Sequence, residues 1–298
     1  MKHDLRTTLL LLLIFVLAQM AGLALVNMDI VSVSEGEITH ADTVIGERPQ
    51  TEGVGSLTFI LAAILIGTLL VLVIIRFKQV YFWKIWFFLA VWIAAGVALG
   101  VIFSAPAALI IALILAIIKV WRQNVFFHNL TEILMYAGIA VLLVPIFDVF
   151  YSIILLIIIS LYDMYAVWKS KHMVKMAKFQ TESKLFAGLC IPYHRAEKAP
   201  KPKKGEKTIK VIKKRKTAIL GGGDIAFPLI FSGAVMEALI SGGADRIIAI
   251  YQTLIITVTT AIALFILFAL AKKDKFYPAM PFVTAGCIVG YLIILLIW

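Results

Sequence analysis

Apolar residues run along this chain in long, almost uninterrupted blocks, separated by short polar stretches and one long basic one. A helix needs about 20 apolar residues to cross the hydrocarbon core of a bilayer. The pattern predicts nine such helices, over residues 5–26, 54–75, 82–103, 105–120, 125–147, 149–168, 218–240, 247–271 and 277–298. Lys2 and Arg6 give the first block the basic start of a signal peptide. Its apolar length is that of a span, however, and no small-x-small cleavage site follows, so it is read as a helix. The stretch 169–217 is predicted to be mostly disordered and to lie along the membrane, because lysine and Pro192, Pro200 and Pro202 dominate it. Within it, residues 185–191 (LFAGLCI) form an apolar island, and the β-branched run 208–212 favours a strand.

Composition fits this pattern. Of 298 residues, 62% are hydrophobic and 15% charged, and the mean hydropathy is +1.01, which excludes a soluble globular domain. The net charge of +11 comes from the long loop, where 16 basic residues face 3 acidic ones. It therefore does not describe a nucleic-acid-binding surface. Cytoplasmic loops retain lysine and arginine. With the N-terminus inside, 26 basic residues fall on the inner side and only Arg48 and Arg246 on the outer. The fold expected is thus all-α, a multi-pass cell-membrane protein with nine transmembrane helices, N-terminus cytoplasmic and C-terminus outside. It divides into residues 1–168 with six helices, a basic cytoplasmic loop at 169–217, and residues 218–298 with three more. Cys190 and Cys287 suggest neither a disulfide framework nor a metal site.

Carboxylates inside spans are costly and mark function. Five qualify: Glu132, Asp148, Asp163, Asp224 and Glu237. Asp163 lies six residues before Lys169 and Asp224 eight residues after Lys216, about 9 and 12 Å from those helix ends at 1.5 Å per residue. Consecutive antiparallel helices thus carry one Asp each at nearly one depth. Two facing carboxyls in a low-dielectric site share a proton, as hydrolysis by water requires: one takes a proton from water, the other polarises the scissile carbonyl. The competing reading is two helix-end acids paired with lysine or interfacial water.

Two neighbouring features favour the first reading. Gly221, Gly222 and Gly223 are poor helix formers and let another backbone approach closely, so an unwound substrate can add as a strand beside them or on 208–212. Gly96/Gly100 and Gly286/Gly290 have the small-xxx-small spacing of helix packing instead. Pro278, Ala279, Met280 and Pro281 start the ninth span level with both aspartates. There they leave backbone groups that protein or a water-filled cavity must satisfy, although prolines at a helix start are ordinary in themselves.

Taken together, these residues resemble the presenilin and signal peptide peptidase family of intramembrane aspartyl proteases. Tyr162-Asp163 matches its YD motif, Gly221-x-Gly223-Asp224 its GxGD motif, and Pro278-Ala279-Met280 its PAL motif, with Pro281 extending it to the presenilin PALP form. Met280 in place of leucine conserves volume. The resemblance implies that Asp163 and Asp224 are catalytic. It also implies that Tyr162, the glycines Gly221 to Gly223 and the Pro278 to Pro281 segment receive substrate, without metal or cofactor. Orientation aligns the chain with presenilins, and its compactness is similar to a microbial, archaeal homologue. Expected partners are transmembrane protein or peptide substrates and membrane lipids, with a homo-oligomer allowed and no obligate partner subunit. Presenilins cut themselves in the long loop, and 185–191 is the candidate segment here.

Other chemistries find less support. The five histidines lack metal-site spacing, there is no HExxH or GxSxG, and Ser152 and Ser160 have no His or Lys at a shared depth. His128 and Glu132, spaced i, i+4, read as an interfacial polar pair. Glu237 has no motif around it, and Asp148 sits at a turn. A prepilin-type peptidase also uses GxGD but has fewer spans and no PAL-like segment. An ion-coupled transporter or cation leak pathway would use the same two Asp as ion ligands, but no internal repeat is visible.

Overall fold

The computed structural model describes residues 4–77, 79–122, 124–170, 176, 179–180, 183, 185–194, 215–271 and 277–297. Among them, nine helices are long and apolar enough to cross a membrane. They are α1 (Leu5–Asp29), α2 (Val54–Arg76), α3 (Val80–Gly100), α4 (Ala105–Arg122), α5 (Val125–Leu143), α6 (Val149–Met164), α7 (Gly223–Ser241), α8 (Arg246–Leu270) and α9 (Met280–Ile297). Helices arise because backbone groups in hydrocarbon must be satisfied within their own segment. Asn124, Asp148 and Asp245 each accept a first-turn amide and so mark the starts of α5, α6 and α8.

The core lies among α1, α5, α7 and the faces of α8 and α9 turned towards them, around the fully buried Phe15, Leu23, Tyr136, Leu229, Phe231 and Ile256. α2 buries only Ser56 and Ile60, so nearly all of its apolar surface is left for lipid. Small residues allow the closest crossings. A side chain on Gly286 or Gly290 would run into the backbone of α8 at Thr260 or Ile256, and one on Gly138 into the backbone of α3 at Ala94. Gly96 faces α4 at Leu109 and Ala112, whereas Gly100 receives the side chain of Val44 from the segment before α2.

Two antiparallel hairpins stand outside the all-helical expectation. β1 (Ile30–Ser34) and β2 (Glu37–His40) turn through Glu35 and Gly36, both at positive φ, as a type I′ turn requires. β3 (Gly188–His194) pairs with β4 (Arg215–Gly221) from Gly188↔Gly221 to His194↔Arg215. Part of the 169–217 loop is therefore ordered sheet and not irregular chain. The seventh helix begins at Gly223, not at residue 218, because residues 218–221 are held in the ladder and the glycines resist helix. The β-branched run 208–212 lies outside the described residues. The ninth helix begins at Met280, not at residue 277, since Pro278 supplies no amide to continue it backwards.

Candidate active site

Asp163 occupies the last turn of α6, before the backbone loosens into a π-helical turn at Tyr165–Lys169. It is 3% exposed, although Leu161 and Tyr165 beside it face outwards. The Met280 amide donates to Asp163 Oδ2 at 3.1 Å, and the Ala279 amide also bonds this carboxyl. These donors exist because the first amides of a helix have no intrahelical partner, and Asp163 caps α9 from another helix. The Ala279 carbonyl accepts from Phe282 and Val283, completing that helix start. One turn away, Ser160 and Thr284 hydroxyls bond at 2.6 Å, and Thr284 also donates to the Leu156 carbonyl at 3.2 Å. This latch fixes α6 against α9. In the sequence Ser160 has no basic partner at its depth and nothing singles out Thr284.

Asp224 sits in the first turn of α7, half-buried, and its carboxyl accepts from the Gly221 amide. Asp163 lies within electrostatic reach of it, since α6, α7 and α9 pack on one another. The three glycines have different surroundings. A side chain on Gly221 would crowd Asp224 Oδ2 at 3.1 Å, one on Gly222 would strike the Tyr136 hydroxyl at 2.5 Å, and Gly223 is exposed. Tyr162 is half-buried beside Asp163, Pro278 and Met280 are buried, and Ala279 and Pro281 are half-buried. On α1, Gln19 is fully buried and donates to the Ile225 carbonyl at 2.8 Å, pinning the turn that carries Asp224. A lone amide in an oligo-leucine span was the available signal for it.

The hairpin leads directly into Asp224. Gly188, at φ 146°, passes so close to the Leu220 carbonyl that a side chain there would collide with it. Its amide donates to Glu132 Oε2 at 2.8 Å, and His128 Nε2 donates to its carbonyl at 2.8 Å. Cys190 bonds the Asn129 side chain twice, its backbone amide donating to Oδ1 at 2.9 Å and its carbonyl accepting from Nδ2 at 2.8 Å. Gly188 and Cys190 thus turn their backbone groups towards α5 and away from β4. By antiparallel alternation, Thr217, Ile219 and Gly221 turn theirs away from β3. Thr217 and Ile219 are exposed.

Glu132 and His128 are not an interfacial pair. Glu132 is fully buried, ion-paired with the equally buried Lys119 and hydrogen-bonded by Tyr136. The apolar island is also packed: Leu185, Leu189 and Cys190 are buried, and Trp83 donates to the Leu185 carbonyl at 3.2 Å. Burial, with Glu132 close by, pushes the Cys190 thiol up to about 11. Glu237 pairs at 3.5 Å with His40, which bonds Asp29 at 3.0 Å. Asp148 caps α6, its carboxylate accepting from the Tyr151 backbone amide at 2.7 Å. Among the described residues, no cluster of three or more His, Cys, Asp or Glu is arranged to hold a metal.

Two acids from different spans therefore lie within electrostatic reach of each other near an extended backbone edge within an apolar bundle, an arrangement suited to acid–base work on a peptide bond. Two solved structures share the architecture. One, a presenilin family intramembrane aspartate protease in space group P2, superposes with a TM-score of 0.60 at 18% identity, covering 97% of each chain. Another, a presenilin family intramembrane aspartate protease in space group C222, gives 0.57 at 16% identity, covering 95% of this chain and 94% of that one. At such identity the likeness establishes the fold. A search of curated proteins finds no match. The sequence profile described as signal-peptide peptidase, presenilin aspartyl protease matches residues 12–298, nearly the whole chain, and the protein therefore belongs to that family of membrane-embedded aspartyl proteases.

Proposed function

We propose that Asp163 and Asp224 are the catalytic pair of this protease and that they hydrolyse peptide bonds of transmembrane-helix substrates. The observation that carries this reading is how the two carboxyls are held. They lie within electrostatic reach of each other, bonded by the amides of Met280 and Gly221, and neither has an ion-pair partner among the described residues. One, as carboxylate, takes a proton from water. The other, protonated, polarises the scissile carbonyl, and a proton then passes to the departing amine. No metal or cofactor enters these steps.

A helical substrate hides its amides in its own hydrogen bonds and must unwind first. The outward edge of β4, at the backbone groups of Thr217 and Ile219 and the carbonyl of Gly221, whose amide is held by Asp224, faces such an extended segment immediately before Asp224. Exposed Gly223 leaves room for it, and Tyr162 and the Pro278 to Pro281 segment border the same space. Water reaches the pair from the cytoplasmic side of the cell membrane, the N-terminus lies inside, and substrates with their N-terminus outside are preferred. The basic loop meets anionic lipid, worth about 1 kcal/mol per residue near the surface, and no partner subunit is needed. Self-cleavage within 185–191 would require 188–191 to leave its bonds with β4 and α5.

The test is cleavage of a purified single-span peptide in liposomes containing this chain alone, with products mapped by mass. Cleavage by the wild type and none by Asp163→Ala or Asp224→Ala is expected. Asp-dependent ion flux without cleavage of any of several peptides would replace the reading with that of an ion pathway.

A further inference from the structure

A buried polar cluster outside the Asp pair joins α5 and α4 to the hairpin. His128, Asn129 and Glu132 bond both the amide and the carbonyl of Gly188 and of Cys190, as a neighbouring strand would. Three side chains of a helix thus stand in for a third strand of the sheet. Glu132 makes a second connection as well. Its Oε2 accepts both the Gly188 amide and the Tyr136 hydroxyl. The Tyr136 ring in turn lies directly beneath Gly222, two residues before Asp224. One carboxylate therefore gauges the height of β3 at its first residue and of the chain just beyond β4. Lys119, itself buried, neutralises it on Oε1.

An apolar contact would have stabilised the hairpin without specifying its register, because a two-residue slip of a strand preserves which face is apolar. Hydrogen bonds to particular amides do not survive that slip. A buried ion pair contributes little net stability against a hydrophobic replacement, and its best-attested use is to fix a register. We infer that Glu132 is a positioning residue. Through Gly188 and Tyr136 it sets the register of the β3–β4 hairpin against Asp224, and hence which substrate bond faces the aspartates. This rests on the reading of Asp163 and Asp224 as the catalytic pair, and it assigns α5 a role in the choice of cleavage site.

The test uses the full chain in liposomes with a single-span peptide, measuring kcat and KM separately, the distribution of cut sites by mass, and maleimide labelling of Cys190. Tyr136→Phe and Asn129→Ala remove hydrogen bonds from the cluster without leaving a buried charge. Each is expected to lower kcat about tenfold, the equivalent of one hydrogen bond, to spread cleavage onto neighbouring bonds, and to accelerate Cys190 labelling. Glu132→Gln alone should be worse, because Lys119 is left unpaired. Adding Lys119→Gln removes that charge and should restore kcat and the wild-type cut site at least in part. The inference is overturned if these variants only lower the melting temperature while the folded protein cuts the same bond at the wild-type kcat. Asp224→Asn run alongside separates the two ideas: its full activity would remove the catalytic pair itself, whereas its inactivity beside unchanged cut sites in the α5 variants would remove only the positioning role.

Discussion

At the end of the bundle where α1 gives way to β1, Asp29 accepts from Arg48 at 2.6 Å and from His40 at 3.0 Å, and His40 reaches on to Glu237. Arg48 also donates to the carbonyls of Ala41 and Val141, and Arg246 caps the carbonyls of Asn27 and Ile30. Asp163 and Asp224 belong to the same bundle, yet among the described residues they are bonded by amides, lie within electrostatic reach of each other and have no cation paired with them. A carboxylate clamped by a guanidinium is committed to holding chain segments together. A carboxylate held by one or two amides keeps lone pairs for water and substrate. Among the acids enclosed by the bundle, the kind of partner separates Asp29 and Glu132 from Asp163 and Asp224, whereas Asp148 and Asp245, also held by amides, are exposed helix caps. Glu132 falls on the structural side, because Lys119 and Tyr136 occupy it.

The comparison breaks most severely if the amide-held acids are dispensable. Asp163→Asn or Asp224→Asn preserves shape while removing the acid–base function, and cleavage rates measured in liposomes should fall by about a thousandfold or more. A smaller effect is expected from Gly222→Val, since the added carbons meet Tyr136, which cannot swing away from Glu132. Overpacking of about 1–3 kcal/mol should lower turnover between about tenfold and a hundredfold, with expression and helicity by circular dichroism retained. Ser160→Ala loosens the α6–α9 latch by one hydrogen bond, about 1 kcal/mol. A roughly threefold to tenfold drop in kcat/KM in the peptide assay would show that the latch holds Asp163 to Met280. The smallest change in turnover belongs to the cation-held end. Arg48→Ala should destabilise the fold by about 3 kcal/mol, seen as a lower melting temperature, while the folded protein turns over within about twofold of the wild type. A large loss of kcat there would erase the distinction between the two ends.

Much of this was legible in the sequence because its signals are local. Each of the nine apolar blocks answers to the bilayer by itself, and Asp163, Asp224, the glycines and Pro278 to Pro281 stand out against apolar surroundings. The Glu132 cluster was missed for the opposite reason. Its spacing to His128 describes an ordinary helix-surface pair, and its other partners, Lys119 on α4 and Gly188 on β3, are distant in sequence. Likewise β3 is a short, mostly apolar piece within a loop whose overall composition is basic, and only its fit between β4 and α5 makes it a strand. Gln19, Ser160 and Thr284 are common polar residues whose role depends on the atom each one meets.

What the sequence determined by itself is therefore the number of apolar spans and which acids were worth attention, since solvation of one segment at a time decides these, and the family, through the resemblance of its short motifs. Tertiary structure alone decided which acids have cations beside them. It also decided that the first amides of α9 receive Asp163, that Gly222 rests on Tyr136, and that β4 leaves one backbone edge turned outwards. Those facts depend on directional contacts between segments up to some two hundred residues apart, such as Gln19 with Ile225. A hydrogen bond is specified by the position of both its ends, and a linear pattern of polar and apolar residues gives at most one of them.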